Sequence, residues 1–229
     1  MPDRVPSVGE MSGTREAGSA GSRREFRILG PLEASYDGRT VDLGPYRQRA
    51  LLAALLLCAN EVVSRERLIE DVWGERAPAT ALNMIQVYVS RLRKVLGPEA
   101  LVTQPPGYAL CVDDTELDST RFGGLMARAR DSIAQGRAGP ARELLGEAIA
   151  LWRGPPLAEF SYESFAQGEV ARLEESRLEA VELRIDADLA LGRHASLVGE
   201  LEQLIALHPF RERLRGQFML ALYRSGRQN

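Results

Sequence analysis

The stretch PATALNMIQVYVSRLRKVLGPEALVTQPPGYALCV, residues 78–112, decides how the rest of the chain is read. Ile85, Val89, Leu92 and Leu96 fall at i, i+4, i+7 and i+11, the single apolar stripe of a helix that packs one side on a core. The helix is predicted to begin near Pro78 and to stop at Gly97-Pro98, where glycine admits a left-handed turn and proline cannot continue. Beyond it, Leu101 to Gln104 and Tyr108 to Val112 flank Pro105-Pro106-Gly107, which reads as a β-hairpin.

Upstream, Ser64 is placed to cap a helix from Arg65 to Trp73, with Gly74 ending it. A strongly apolar helix precedes that one, from Arg47 to Ala59, with Pro45 where a first helical residue tolerates proline. Phe26 to Leu29, Leu32 to Tyr36 and Thr40 to Leu43 are short strand candidates separated by Gly30-Pro31 and Asp37-Gly38. Strands, helix, helix, turn, long helix and hairpin make the order of a winged helix-turn-helix. That topology binds nucleic acid more often than not, and it also occurs as a pure protein contact.

At 100° per residue, the side of the long helix opposite its apolar stripe carries Thr80, Asn83, Val87, Ser90, Arg91 and Lys94. Asn pairs with adenine, Arg with guanine, Val touches a thymine methyl, and Ser and Lys hold phosphates, so the set suits a major groove. Any solvated helix shows a polar face; Val87 is the residue that such a face does not need. Gln86 and Tyr88 lie at its edges. Arg93, on the flank, reaches a phosphate or pairs with a nearby acid. In the hairpin, Thr103 and Gln104 reach the backbone or minor groove, or are simply turn-flanking polar residues. Arg47 and Arg49 sit in the first turn of the first helix, where the helix dipole disfavours cations, and phosphate contact is a motive for at least one of them.

The whole chain of 229 residues is 45% apolar and 27% charged, a globular profile of one to two domains. Its longest unbroken apolar run, Ala50 to Ala59, is half of what a spanning helix needs, about 20 residues. No secretory signal is readable, so the cytoplasm is the expected compartment. Net charge −3 argues against a generic nucleic-acid coat. By region, residues 25–112 hold 10 basic and 10 acidic groups, whereas 113–229 hold 15 and 19, which suggests different jobs. Residues 1–24, with no apolar period, are expected to be a disordered leader, and the acidic 113–118 a linker.

From residue 119 to 229 the chain reads as helical, with an internal echo. Gly136-Arg137, Gly192-Arg193 and Gly226-Arg227 recur, the last two at an offset of 34, the tetratricopeptide period. Counted from each glycine, Ala141, Leu145, Ile149 and Leu151 match Leu197, Leu201, Ile205 and Leu207, so an insertion around Gly154-Pro155-Pro156 and Phe160 to Phe165 interrupts the repeat. Stacked helix pairs of this kind form a groove. Cys58 and Cys111 sit in apolar company without metal-ligand spacing and read as buried thiols. His194 and His208 supply no catalytic or metal set and read as structural, capping C-terminal carbonyls. No Walker-type loop is present; neither an enzymatic activity nor a cofactor or metal is expected.

Val87 to Lys94 resembles the recognition helix of OmpR-type winged helices, and Pro106-Gly107-Tyr108 resembles their wing. Gln48 to Leu52, Leu68 to Gly74 and Gln86 to Arg93 resemble, more specifically, the AfsR/SARP family, the Streptomyces antibiotic regulatory proteins. Leu151 to Leu157, Ala187 to His194 and Ala221 to Arg227 resemble the bacterial transcriptional activation domain of the same family. The resemblance runs from about Phe26 to the end. It implies a mainly α (α+β) protein: a winged-helix DNA-binding domain over 25–112, then an all-α, tetratricopeptide-like activation domain over 119–229. It further implies an activator of secondary-metabolite genes that binds double-stranded promoter DNA at direct repeats as side-by-side protomers and contacts RNA polymerase holoenzyme. Val87, Ser90, Arg91 and Lys94 match the family's groove-facing positions. Ending at Arg227-Gln228-Asn229, partway through a repeat, the chain is expected to be a piece of a longer regulator. A repressor on the same kind of site, and a protein-interaction adaptor using the repeat groove, are the competing readings.

Overall fold

The computed structural model describes residues 24–226. Residues 1–23 of the expected leader, and the chain end at 227–229, lie outside the described residues. Arg24, expected as the leader's last residue, instead opens a strand and pairs with Glu116 at 3.1 Å.

An antiparallel sheet comes first: β1 (Arg24–Arg27), β2 (Glu33–Tyr36) and β3 (Arg39–Thr40), with Phe26 opposite Ala34. Next are α1 (Tyr46–Leu57), β4 (Val63–Ser64), α2 (Arg65–Trp73) and α3 (Ala81–Leu96). Pro45 turns out to precede α1 as its cap rather than to begin it. Ser64 accepts the Arg67 N–H, as its position predicts, and Gly74 ends α2. The long helix starts at Ala81 rather than near Pro78.

The hairpin is β5 (Leu101–Gln104) and β6 (Gly107–Leu110), with Thr103 opposite Tyr108. β4, two residues whose sequence signals only a helix cap, pairs with β6 and makes a second sheet in the order β4-β6-β5. The close pairing explains Gly107: a Cβ there would stand 1.8 Å from the Val63 carbonyl oxygen. All the parts of a winged helix are present.

The helical half comprises α4 (Asp118–Ala134), α5 (Ala138–Ala150), α6 (Ser164–Ala190), α7 (His194–Leu207) and α8 (Glu212–Arg224). Gly136, Gly192 and Gly226 follow α4, α6 and α8 at φ of +70°, +80° and +72°. The sequence echo is therefore a repeated left-handed turn after a helix, which glycine adopts without strain. His194 begins α7 and His208 follows it, its backbone N–H donating to Leu204, so the expected ring-to-carbonyl capping is not how either is used.

Two hydrophobic cores divide the molecule, and they do not divide it at residues 113–118. One core runs without a break from Phe26 through α1 and α3 to Phe122, Trp152, Phe160, Leu173 and Ala180. The second, built on Ile185, Leu201 and Leu214, joins the end of α6 to α7 and α8. The expected linker is thus a structural segment. Glu116 and Asp118 are buried; the Glu116 carbonyl accepts the Phe26 N–H at 2.6 Å, and the Asp118 carboxylate accepts the N–H groups of Ile28 and Leu29 at 2.8 and 3.1 Å. Burial raises the Asp118 pKa above the ordinary carboxylate value, with those two amides and Arg153 pulling the other way. Ile28 and Leu29, predicted as strand, lie beyond β1 because these groups take their hydrogen bonds.

Phe160, fully buried, belongs to the helical half by sequence and to the shared core by packing. Truncating such a side chain costs about 3–5 kcal/mol. Phe160→Ala is expected to lower amide-exchange protection in α1 and in the start of α6 together; loss confined to α6 would mean the halves unfold independently.

Candidate nucleic-acid interface

α3 reaches the surface because its inner stripe is anchored. Ile85, Val89, Leu92 and Leu96 are buried in the shared core, and Tyr88 stacks on Trp73 of α2 with ring centroids 6.2 Å apart. The opposite side presents Thr80, Asn83, Val87, Ser90, Arg91 and Lys94, all exposed. Val87 is 46% exposed, an apolar side chain facing solvent in the middle of a polar row. Gln86 is exposed beside them, at the flank where the helical wheel puts it. No acidic residue occurs in Ala81–Leu96, although the winged half as a whole is neutral.

The cations predicted from the sequence separate into two groups. Arg91 and Lys94 are exposed and, among the described residues, make no hydrogen bond or ion pair. Arg93, Arg47 and Arg49 are half-buried and engaged. Arg93 Nε donates to the Leu101 carbonyl at 2.6 Å and its Nη2 to Thr103 Oγ1 at 2.8 Å, so both partners it finds are on the wing. Thr103 Oγ1 thereby accepts from α3 and keeps its O–H free to donate, while Gln104 stays exposed at the hairpin tip.

Arg47 donates to the carbonyl of Val72, one of the carbonyls left without an intrahelical partner at the end of α2. Arg49 pairs with Glu159, from the segment joining α5 to α6. Their placement at a helix start, unfavourable for the local dipole, is met by these partners. Tyr46, the first residue of α1, donates its hydroxyl to Glu163. Arg65, opening α2, lies over the Tyr108 ring at 5.8 Å and braces the wing from beneath.

The cysteines are half-buried rather than buried, and burial pushes the Cys58 thiol upward. Among the described residues there is no cluster of metal-ligating groups, and no helix is long and apolar enough to cross a membrane.

Two family models match, one for each half. Residues 38–110 match the C-terminal domain of transcriptional regulatory proteins, and 117–229 the bacterial transcriptional activator domain. AfsR of Streptomyces coelicolor is 44% identical over 98% of this chain, which spans 23% of AfsR's length. DnrI of Streptomyces peucetius is 38% identical over 89% of the chain and 79% of its own length. The structure of Mycobacterium tuberculosis EmbR in complex with a low affinity phosphopeptide superposes with a TM-score of 0.87 at 36% identity, covering 90% of this chain and 56% of that one. A winged helix continuous with an activator domain defines a transcriptional regulator rather than an enzyme. The chain belongs to the AfsR/SARP family, the Streptomyces antibiotic regulatory proteins.

Two measurements check this geometry. Arg93→Ala is expected to speed amide exchange in Leu101–Gln104 while leaving the centre of α1 protected; an unchanged wing would show that α3 does not brace it. Tyr46 is raised from 10.0 to about 12, first by burial and then by its bond to Glu163. A raised phenol pKa means the folded state holds the proton longer, so this contribution to stability is complete below pH 10 and is lost as pH climbs through 12. In 13C-labelled protein, the tyrosine signal that vanishes in Tyr46→Phe should still report a phenol at about pH 11.

Proposed function

We propose that the chain is a sequence-specific transcriptional activator. Thr80, Asn83, Val87, Ser90, Arg91 and Lys94 enter the major groove of duplex promoter DNA, and Gln104 at the wing tip reaches the adjoining backbone or minor groove. Arg93, Thr103, Arg47 and Arg49 hold that surface in place. Two protomers lie side by side on direct repeats, the helical half contacts RNA polymerase holoenzyme, and the genes controlled are those of secondary metabolism. One observation carries the reading: unpartnered Arg91 and Lys94 on a helix free of acid, with Val87 exposed between them and Asn83. Arg39, Arg76, Arg128, Arg137 and Arg215 are likewise without a side-chain partner among the described residues, so what sets Arg91 and Lys94 apart is their place one turn from each other on an acid-free helix face that also presents Asn83 and Val87, which suits an anion. Support for activation, and for antibiotic genes, comes from the activator-domain match and from family membership.

The test is binding to duplexes selected from a random pool, wild type beside Arg91→Ala/Lys94→Ala. The slope of log affinity against log salt is expected to flatten by about 0.9 for each phosphate that the variant no longer neutralises. Where a removed side chain reads a base, preference at that step should also relax, by roughly 1–3 kcal/mol. Unchanged affinity and slope would overturn the assigned face.

A further inference from the structure

The segment between α5 and α6, residues 151–163, interrupts the helical repeat; Trp152 packs on Phe122 and Arg177 of the helical half, and other contacts of the segment run to the winged half. Its main chain bonds β1's continuation: Arg153 N–H donates to the Leu29 carbonyl at 2.8 Å and Leu157 N–H to the Ile28 carbonyl at 2.9 Å. Side chains then reach the first turn of α1. Glu159 takes Arg49, Glu163 takes the Tyr46 hydroxyl, and the Phe160 ring lies 5.3 Å from that of Tyr46. Leu157 is held at φ +47°, a left-handed conformation that a leucine avoids unless its surroundings impose it; here full burial and the Ile28 bond do so.

Between Tyr46 and Arg49 stands Arg47, bonded to the last turn of α2, and α2 is tied to α3 by the stack of Trp73 on Tyr88. A continuous set of contacts therefore runs from the segment, through one turn of α1, to the end of α2 and the outward-facing helix. From this we infer that residues 151–163 are a positioning strap: Glu159 and Glu163 set the orientation of α1, and with it the angle at which α3 and the wing are presented relative to the helical half. The inference rests on the proposed DNA-binding role of α3. Neither glutamate is assigned to the DNA-facing surface, and each acts through another residue.

The test uses the full chain with Glu159→Ala/Glu163→Ala, and with Glu159→Gln/Glu163→Gln, which keeps an acceptor oxygen for Arg49 and for Tyr46. Both variants remove two negative charges, so electrostatics alone would tighten DNA binding equally in each. A strap predicts the opposite for the alanine variant: affinity for the best selected duplex falls roughly tenfold, equivalent to about 1.4 kcal/mol. In the glutamine variant affinity returns to at least the wild-type value. In parallel, spin labels at Glu70→Cys in α2 and Glu202→Cys in α7, on a Cys58→Ser/Cys111→Ser background, report the distance between the halves. One narrow distribution in wild type should broaden with alanine and narrow again with glutamine. Identical behaviour of the two variants in both measurements, or no change in either, overturns the strap. If wild type selects no duplex, the DNA-binding reading fails and the distance measurement judges the strap by itself.

Discussion

A helix buried on every side needs neighbours on every side. In α1 each residue from Ala50 to Leu56 is buried, so no single layer of protein covers it. The winged half supplies one side through α2, α3 and the hairpin; the start of α6 and the segment before it supply another. The arrangement from β1 to Ala180 follows from that requirement. β1 is held by Glu116 and Asp118, Phe160 lies against Tyr46, and the acidic stretch after the hairpin folds inward instead of spanning a gap. The outward face of α3 has a defined direction because the helix on which it rests is packed from both sides.

The chain's cations follow a similar economy. Of 29 basic residues only Lys94 is a lysine. Arginine's rigid fork suits fixed carboxylate partners, and the helical half uses it so. Asp188, buried, gathers Arg142 at 2.7 Å, Arg184 at 3.1 Å and Arg193 at 3.3 Å, tying α5, α6 and the turn after α6. Glu182, also buried, takes Arg211 at 2.7 Å across to the start of α8. Such pairs contribute little net stability against an apolar alternative, but removing one partner strands the other charge. Lys94 and Arg91 have no such partner among the described residues and share one face of one helix.

Much of this was legible in the residues. The stripe Ile85, Val89, Leu92 and Leu96 identified both the buried and the exposed face of α3, because one helical period fixes both. Ser64 and Gly74 bracketed α2, and the recurring glycines marked the turns of the helical half, since both signals are local. What could not be read depends on distant partners. Two residues at β4 are too few to carry an alternation, and Gly107 reveals its role only when Val63 is brought beside it. Asp118 looks like a solvated acid until the amides of Ile28 and Leu29 point at it. Arg47, Arg49 and Arg93 are chemically as suited to phosphate as Arg91; only the Val72, Glu159 and Leu101 partners tell them apart. The all-round apolarity of α1 was visible and was the one signal that the two halves share a core.

Where the two halves meet, part of the seam is main chain: Leu29 and Ile28 carbonyls facing the N–H groups of Arg153 and Leu157. Backbone bonds of this kind are indifferent to side-chain identity but depend on the number of residues between them. Over evolutionary time the seam can therefore accept many substitutions and few insertions or deletions. An exchange of winged halves among relatives would preserve these bonds wherever the incoming chain presents two successive carbonyls at the places of Ile28 and Leu29, whatever their side chains.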